Sequence, residues 1–390
     1  MKQRLLTPGP TPIPEEVRLT LSKEMIHHRK SHFRSILIEV EEHLKMLFGT
    51  REEVLILSCS GTGGMEAALA NLFCPMEEVI VVEGGKFGKR WREMAHRIGL
   101  RPYSIEVRWG EAVKIEEIEE ALEKYPHASG ILIQASETST GVLHPIREIG
   151  ELVKDRDLLL VVDGISAVGI SPCPMEEWNI DCLISGSQKG LMVPPGLAFV
   201  AFSKKAWKKA EGIRPSYFYF DLKEERKRIR EGQTLFTSSV TLIRALHTSL
   251  KNFFSSSLDE RYTHQWALTC MTRTGITALG LDLFAPHNYT WGLTSIHVPG
   301  GKKAREILSY CEENFHIYLA GGQDKLKGKI IRIGHMGDVD MGDISVALWA
   351  LYSALDNIIP GFKPKQSDFL ERALYAHAQA LSKGYPKEML

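Results

Sequence analysis

Lys189 stands among small residues, in Ser185-Gly186-Ser187-Gln188-Lys189-Gly190, directly after the apolar run Cys182–Ile184. Met192-Val193-Pro194-Pro195-Gly196 follows, so a solvated surface lysine explains the stretch poorly. A partly buried ammonium has a lowered pKa and becomes a nucleophile or a base. Asp163 closes another apolar run, Leu158-Leu159-Leu160-Val161-Val162. A carboxylate at the tip of a buried strand is costly unless it meets a cation or hydrogen-bond donors. A helix cap is the competing reading, because Gly164 and Ser166 follow. The third segment is Ser60-Gly61-Thr62-Gly63-Gly64, where small residues let the backbone approach a ligand. Met65, Ala68, Leu69, Leu72 and Phe73 after it mark one helix face. Free N–H groups and the positive end of the helix dipole make such a start a phosphate or carboxylate site. A tight glycine-rich turn is the alternative there.

Spacing removes several other chemistries. Glu83 lies twenty residues after Gly63, as in a dinucleotide fingerprint, but Glu66 takes the third glycine position. No Gly-Lys-Ser/Thr closes a P-loop, and no serine-hydrolase motif surrounds Lys189. The six cysteines (Cys59, Cys74, Cys173, Cys182, Cys270 and Cys311) contain no pair separated by two residues. Neither a zinc ribbon nor a thioredoxin motif is therefore expected. Their scatter reads as reduced, mostly buried thiols of a cytosolic protein. Combined, an anion-binding helix start, a strand-end carboxylate and a strand-end lysine are the parts of a pyridoxal-phosphate site. The phosphate sits on the helix N-terminus, the aspartate keeps the pyridine nitrogen protonated, and the lysine forms the Schiff base.

The elements that must position these groups follow from the apolar pattern. Strands are expected at Val54–Leu57, Val79–Val82, Ile131–Ile133, Leu158–Val162, Cys182–Ile184 and Leu197–Phe202. Several are apolar throughout, as in strands covered on both faces. Interleaved with helices, they predict an α/β domain with a mainly parallel sheet, whose ligands bind beyond the carboxyl ends of the strands. The pattern changes after about Phe254. Ser255–Ser257 reads as a joint, and strands near Ser295–Val298 and Ile330–Ile333 belong to a smaller α+β unit. A helix there carries Leu348, Tyr352, Leu355 and Ile359. Gly361–Gln366 is a polar spacer. Asp368 and Glu371 then have the spacing of a capping box for a last helix through about Leu381.

At 390 residues, the chain suits two or three domains of ~150 residues each, with no need of a disulfide or metal staple. Lys plus Arg and Asp plus Glu both number 48. This zero balance argues against a nucleic-acid binder and against a polybasic membrane anchor. Charged residues at 25% and hydrophobic residues at 44% are globular values. Met1–Pro14 lacks the apolar core of a signal peptide. The longest apolar run falls far short of the ~20 residues of a membrane helix. The expected location is cytoplasmic.

With these residues in view, the sequence resembles the class V pyridoxal-phosphate-dependent aminotransferases, in the alanine–glyoxylate/serine–pyruvate group. The match rests on Leu6-Thr7-Pro8-Gly9-Pro10-Thr11-Pro12, Ser60-Gly61-Thr62-Gly63-Gly64-Met65-Glu66-Ala67, Gly85-Lys86-Phe87-Gly88 and Glu137-Thr138-Ser139-Thr140-Gly141. It continues through Val162-Asp163-Gly164-Ile165-Ser166, Ser185–Gly190, Gly321-Gly322-Gln323 and Arg332-Ile333-Gly334-His335-Met336-Gly337. It runs in order from about residue 5 to 360. The resemblance implies a fold-type I architecture: a large domain with a mainly parallel seven-stranded sheet and a smaller α+β C-terminal domain. The expected division is an arm over the active site (1–15), a large cofactor domain (16–257), a small domain (258–360) and an extra tail (361–390).

The resemblance also implies roles. Lys189 would carry the cofactor and Asp163 would hold its pyridine nitrogen. Ser60, Gly61 and Thr62, with Gln188, would hold the phosphate. Phe87 would stack on the ring and Thr138 would bond near its hydroxyl. Thr234 and Thr237 would reach the phosphate of a neighbouring subunit, which requires a homodimer with shared sites. Arg332 would take the substrate α-carboxylate, its planar fork suiting a bidentate contact. Ile331 and Ile333 put it on the opposite strand face, which also fits an exposed arginine. Gly9 would lie over the mouth of the site. His27-His28-Arg29 reads as a solvated helix end, with an approach to the same mouth as the alternative. Ser238 and Ser239 stand where relatives often carry prolines.

The implied reaction is a ping-pong transamination. An amino group moves from a small amino acid, alanine or serine, to a small 2-oxo acid, glyoxylate or pyruvate, with freed Lys189 as general base. A cysteine desulfurase-like lyase is the alternative, but those enzymes stack a histidine on the ring and place one before the lysine, where Phe87 and Gln188 stand here. A non-catalytic protein retaining the fold is less consistent with the presence of Lys189, Asp163 and Arg332.

Overall fold

Seven short segments pair into one sheet, in the order Val54–Leu57, Ala198–Phe202, Cys182–Gly186, Leu159–Asp163, Gly130–Gln134, Glu78–Glu83 and Arg101–Glu106. The computed structural model describes residues 2–215, 217–301 and 304–387. The central strands are buried along their whole length, as their unbroken aliphatic composition requires. Each fully buried Leu, Ile or Val among them contributes about 1.5–3 kcal/mol of transfer free energy.

All pairings are parallel except those of Ala198–Phe202, which runs antiparallel to both neighbours. A parallel return needs a crossover of a dozen or more residues, usually a helix. The loop after Cys182–Gly186 is too short for one, so it turns the chain directly back, and Lys189 lies within it. Arg101–Glu106 was not expected as a strand. It is a half-exposed edge whose Pro102 and charged ends break the apolar pattern, and an edge is where proline is tolerated.

The core residues fall into two large clusters. One surrounds the seven-stranded sheet and contains residues from Val17 to Phe253. The other lies on a three-stranded antiparallel sheet of Leu293–His297, Ile330–Gly334 and Ala320–Gly321, packed by the helices Leu258–Leu279, Ala304–Phe315 and Met341–Ile358. The Leu258–Leu279 helix follows Ser255–Ser257, and Ser257 and Glu260 form a reciprocal capping box at its start.

Both chain ends join the second cluster. Arg4–Leu5 pairs in parallel with Ile317–Tyr318, and Leu6 is buried there. The helix Phe369–Lys383 lies antiparallel along Leu258–Leu279: Gln366 N donates to Ala278 O (2.9 Å), while Tyr385 Oη donates to Asp259 (2.7 Å). Phe369 and Ala373 are buried at that contact. The expected Asp368 capping box does not form, because Arg372 engages the Asp368 carboxylate at 2.8 Å. Among the described residues, no helix is long and apolar enough to cross a membrane.

Candidate active site

Asp163 ends its strand at the carboxyl edge of the sheet, level with Gln134 on one side and Ile184 on the other. It is buried, and Oδ1 accepts from Ile165 N (2.9 Å), so the local cap and the strand-end carboxylate are both present. Burial raises its carboxyl to about 6, while the charges of Arg90 and Lys189 pull it down. Lys189 lies one strand over. Burial lowers its amine to about 8; Arg332 and Arg90 act in the same direction and Asp163 opposes them. Four sequence-distant charged groups are thus gathered within one field.

The N-terminal arm closes this cluster from above. Lys189 Nζ donates to Pro8 O, Thr11 N donates to Gln188 O (3.2 Å), and Thr11 Oγ1 donates to Lys189 O (3.0 Å). Gly9 has φ +119°, and a Cβ there would lie 2.5 Å from Lys189 Nζ. Only glycine suits both the conformation and the approach.

The helix Gly61–Leu72 points its start at the same place. Gly61 packs against Ile165, and Gly186 lies beside Gly61 and Gln188. Among the described residues, the Gly61 and Thr62 N–H groups have no acceptor, and the buried Gln188 Oε1 has no partner. Free helix-end amides beside a lysine and a carboxylate fit a phosphorylated pyridine aldehyde. Ser60 is exposed at the cap position, and its carbonyl accepts from Gly63 N (2.8 Å).

Phe87 lies on the helix Lys86–Arg97, in which Arg90 follows one turn later. The Arg90 guanidinium sits 4.8 Å from the Phe87 ring centre and donates to Thr62 Oγ1 (3.0 Å). Sequence reasoning passed over Arg90. Its spacing from Phe87 was a signal, although several other basic residues crowd the same helix.

Arg332 is buried at the centre of Ile330–Gly334, which rules out an exposed strand arginine. Nη1 donates to Thr138 O (2.8 Å), while Nε and Nη2 donate to Gly321 O (3.0 and 2.8 Å). Burial lowers it to about 10, and the Glu137 charge opposes that shift. The second sheet thereby holds a cation against a loop of the first.

Two expected residues lie outside these contacts. Thr234 donates its hydroxyl to Phe236 O (2.7 Å), and Thr237 lines an exposed groove with Met25, Ile26, His27 and His28. His27-His28-Arg29 is not a helix end. It precedes the helix Ser31–Phe48, and Arg29 donates to Thr234 O and Gln233 Oε1 (2.8 Å each). Glu83, the residue of the dinucleotide pattern, pairs with Arg92 (2.6 Å) and accepts from Ser104 (3.2 Å).

Residues 5–332 match the family Aminotransferase class-V. A relative from Synechococcus sp. (strain PCC 6716), named Soluble hydrogenase, small subunit, is 38% identical over 92% of this chain and 96% of its own. The Serine–glyoxylate aminotransferase of Methylorubrum extorquens is 33% identical over 92% and 94% of the two chains. Among solved structures, ureidoglycine–glyoxylate aminotransferase from Bacillus subtilis superposes with a TM-score of 0.90, at 27% identity, over 97% of this chain and 98% of that one. This chain belongs to the class V aminotransferases, pyridoxal-phosphate-dependent transaminases of fold type I.

Proposed function

We propose that this transaminase moves an amino group from a small amino acid, alanine or serine, to a small 2-oxo acid, with glyoxylate favoured over pyruvate as acceptor. The observation that carries the reading is Arg332 held close enough to Lys189 for its charge to lower that amine. Three of its N–H donors are engaged by Thr138 O and Gly321 O. A guanidinium has five, so two remain for a bidentate carboxylate. Glyoxylate recurs in the names of the serine–glyoxylate and ureidoglycine–glyoxylate enzymes.

Bound pyridoxal phosphate supplies the electron sink that takes up charge from the substrate α-carbon. Lys189, whose amine is brought near neutrality, carries the cofactor and moves the α-proton. Asp163 holds the proton at the pyridine nitrogen. Gly61, Thr62, Ser60 and Gln188 bind the phosphate, Phe87 stacks on the ring, and Thr138 borders its hydroxyl. Gly9 and the arm cover Lys189. In this reading the reaction is ping-pong and the protein is a cytoplasmic homodimer. Thr234 and Thr237 then complete the partner's phosphate site. The functional units are the arm (1–15), a cofactor domain (16–257), a small domain (258–360) and a tail (361–390).

A panel of amino donors against several oxo acids, read as kcat/KM, tests the substrate assignment. The highest value is expected for alanine or serine with glyoxylate, and a dicarboxylic pair in first place would overturn it. Lys189→Ala should abolish turnover and the borohydride-reducible yellow chromophore. A variant that keeps both would remove Lys189 from its role. Sulfide release from cysteine is not expected. Burial pushes the Cys59 and Cys270 thiols up to about 11, Cys173, Cys182 and Cys311 are buried, and the exposed Cys74 follows the far end of the helix Gly61–Leu72 from the site.

A further inference from the structure

Glu137 is fully buried, and none of the roles above uses it. It belongs to the two-residue strand Ser136–Glu137, at the loop that carries Thr138. One carboxylate oxygen, Oε2, accepts from Phe87 N (3.0 Å) and Gly88 N (3.1 Å), at the start of the helix Lys86–Arg97. The other, Oε1, accepts from Ser139 N (3.1 Å) and Ser139 Oγ (2.5 Å). Ser139 Oγ in turn accepts from Lys86 N (3.0 Å). Gly85 permits this approach, since a Cβ there would overlap the Glu137 side chain and lie 2.6 Å from Ser139 Oγ.

The arrangement joins two different contacts. On one side the carboxylate fixes the backbone of Phe87, satisfying amides that a helix start leaves unpaired. On the other side it fixes the turn at Thr138, whose carbonyl accepts from Arg332. Burial raises the Glu137 carboxyl, while its four donors favour the ionised form, whose charge opposes the lowering of Arg332 by burial. We infer that Glu137 is a positioning residue that couples the cofactor-stacking Phe87 to the carboxylate-binding Arg332. This rests on the roles proposed above for those two residues.

Glu137→Gln keeps the volume but removes the charge. Its amide nitrogen must face N–H donors on one side or the other, so at least one bond is lost and one amide is left unpaired. The test uses the cofactor-loaded full chain and two readouts that do not depend on turnover. The first is the visible circular dichroism of the bound cofactor, which reports the ring's surroundings. The second is the Kd of glycolate, an unreactive carboxylate analogue of glyoxylate, titrated through the cofactor absorbance. Glu137→Gln should change the dichroism and weaken glycolate about tenfold, the effect of about 1.4 kcal/mol. Glu137→Asp, which keeps the charge but reaches fewer amides, should fall between.

A Glu137→Gln protein with unchanged dichroism and a glycolate Kd within twofold of the parent overturns the coupling, even if it melts earlier. If that variant does not fold, Ser139→Ala carries the test. It keeps the charge, breaks the link to Lys86 N, and should shift both readouts in the same direction by about threefold; no shift overturns the coupling. Arg332→Ala is the control. If glycolate binds to it as to the parent, the assignment of Arg332 fails. If only Arg332→Ala weakens glycolate, the inference about Glu137 fails and that assignment stands.

Discussion

At Asp163, burial and chemistry make opposite demands. Its carboxyl is raised to about 6, above the ordinary value near 4. The folded chain therefore binds this proton more tightly than the unfolded chain does. Stability from this group is full below about pH 4 and is lost as pH rises through about 6. Asp163→Asn should consequently raise the Tm of the cofactor-free protein at pH 7 and have little effect at pH 4, in parallel thermal melts. The same variant should slow turnover by at least about a hundredfold, because the ring nitrogen loses its anionic partner. A residue whose removal stabilises the fold and cripples the reaction is kept for the reaction. Asp163 and Lys189 could be read from the sequence because each follows an apolar run that had to be a buried strand. Arg332 could not be placed by pattern alone, because Ile331 and Ile333 fit either a buried or an exposed arginine. Arg90 was hidden because its meaning depends on Thr62, which another helix supplies. Glu137 stood in a quoted motif without a role of its own, because three of its four donors are backbone amides, which carry no sequence signature.

Most elements follow from local chemistry. The Ser257 box and the Asp221 cap, which accepts from Lys223 and Glu224 N, start their helices where the residue types require. Asp368 shows where spacing misleads: a nearby arginine competes for the carboxylate and wins. The edge strand Arg101–Glu106 was invisible because only its hydrogen-bonded neighbour gives it a reason to be extended. The arm is the element most tightly specified by shape. Gly9→Ala would place a methyl group against the Lys189 amine and strain a backbone at φ +119°. It should lower kcat/KM by about tenfold or more, while the Tm shifts by only a few degrees, since the arm contributes little core. Equal kcat/KM would mean that the arm stands clear of the lysine during turnover.

Across the whole molecule, two apolar cores share one cluster of charges, which sits between them because its parts come from both sheets. The tail helix belongs to the second core. Phe369 and Ala373 pack against residues of the Leu258–Leu279 and Met341–Ile358 helices. Phe369→Ala should cost about 3–5 kcal/mol in denaturant titration, with KM unchanged. A changed KM would show that the tail reaches the site through the second sheet. The zero net charge acquires a structural counterpart here, since Arg332, Arg90 and Lys189 create a local positive field without any global excess.

The arm carries one more consequence, for the order of events in the cell. Arg4–Leu5 pairs with Ile317–Tyr318, and Gly334 N donates to Leu6 O at 2.7 Å. Residues 4–6 therefore wait for partners made more than 300 residues later. At roughly 5–20 residues per second, that wait is on the order of half a minute of synthesis. Throughout it, only the contacts of Pro8 and Thr11 with Gln188 and Lys189 are available to hold the segment over the site. The strand pairing and the Leu6 contact that fix its other end wait until residue 334 has been made.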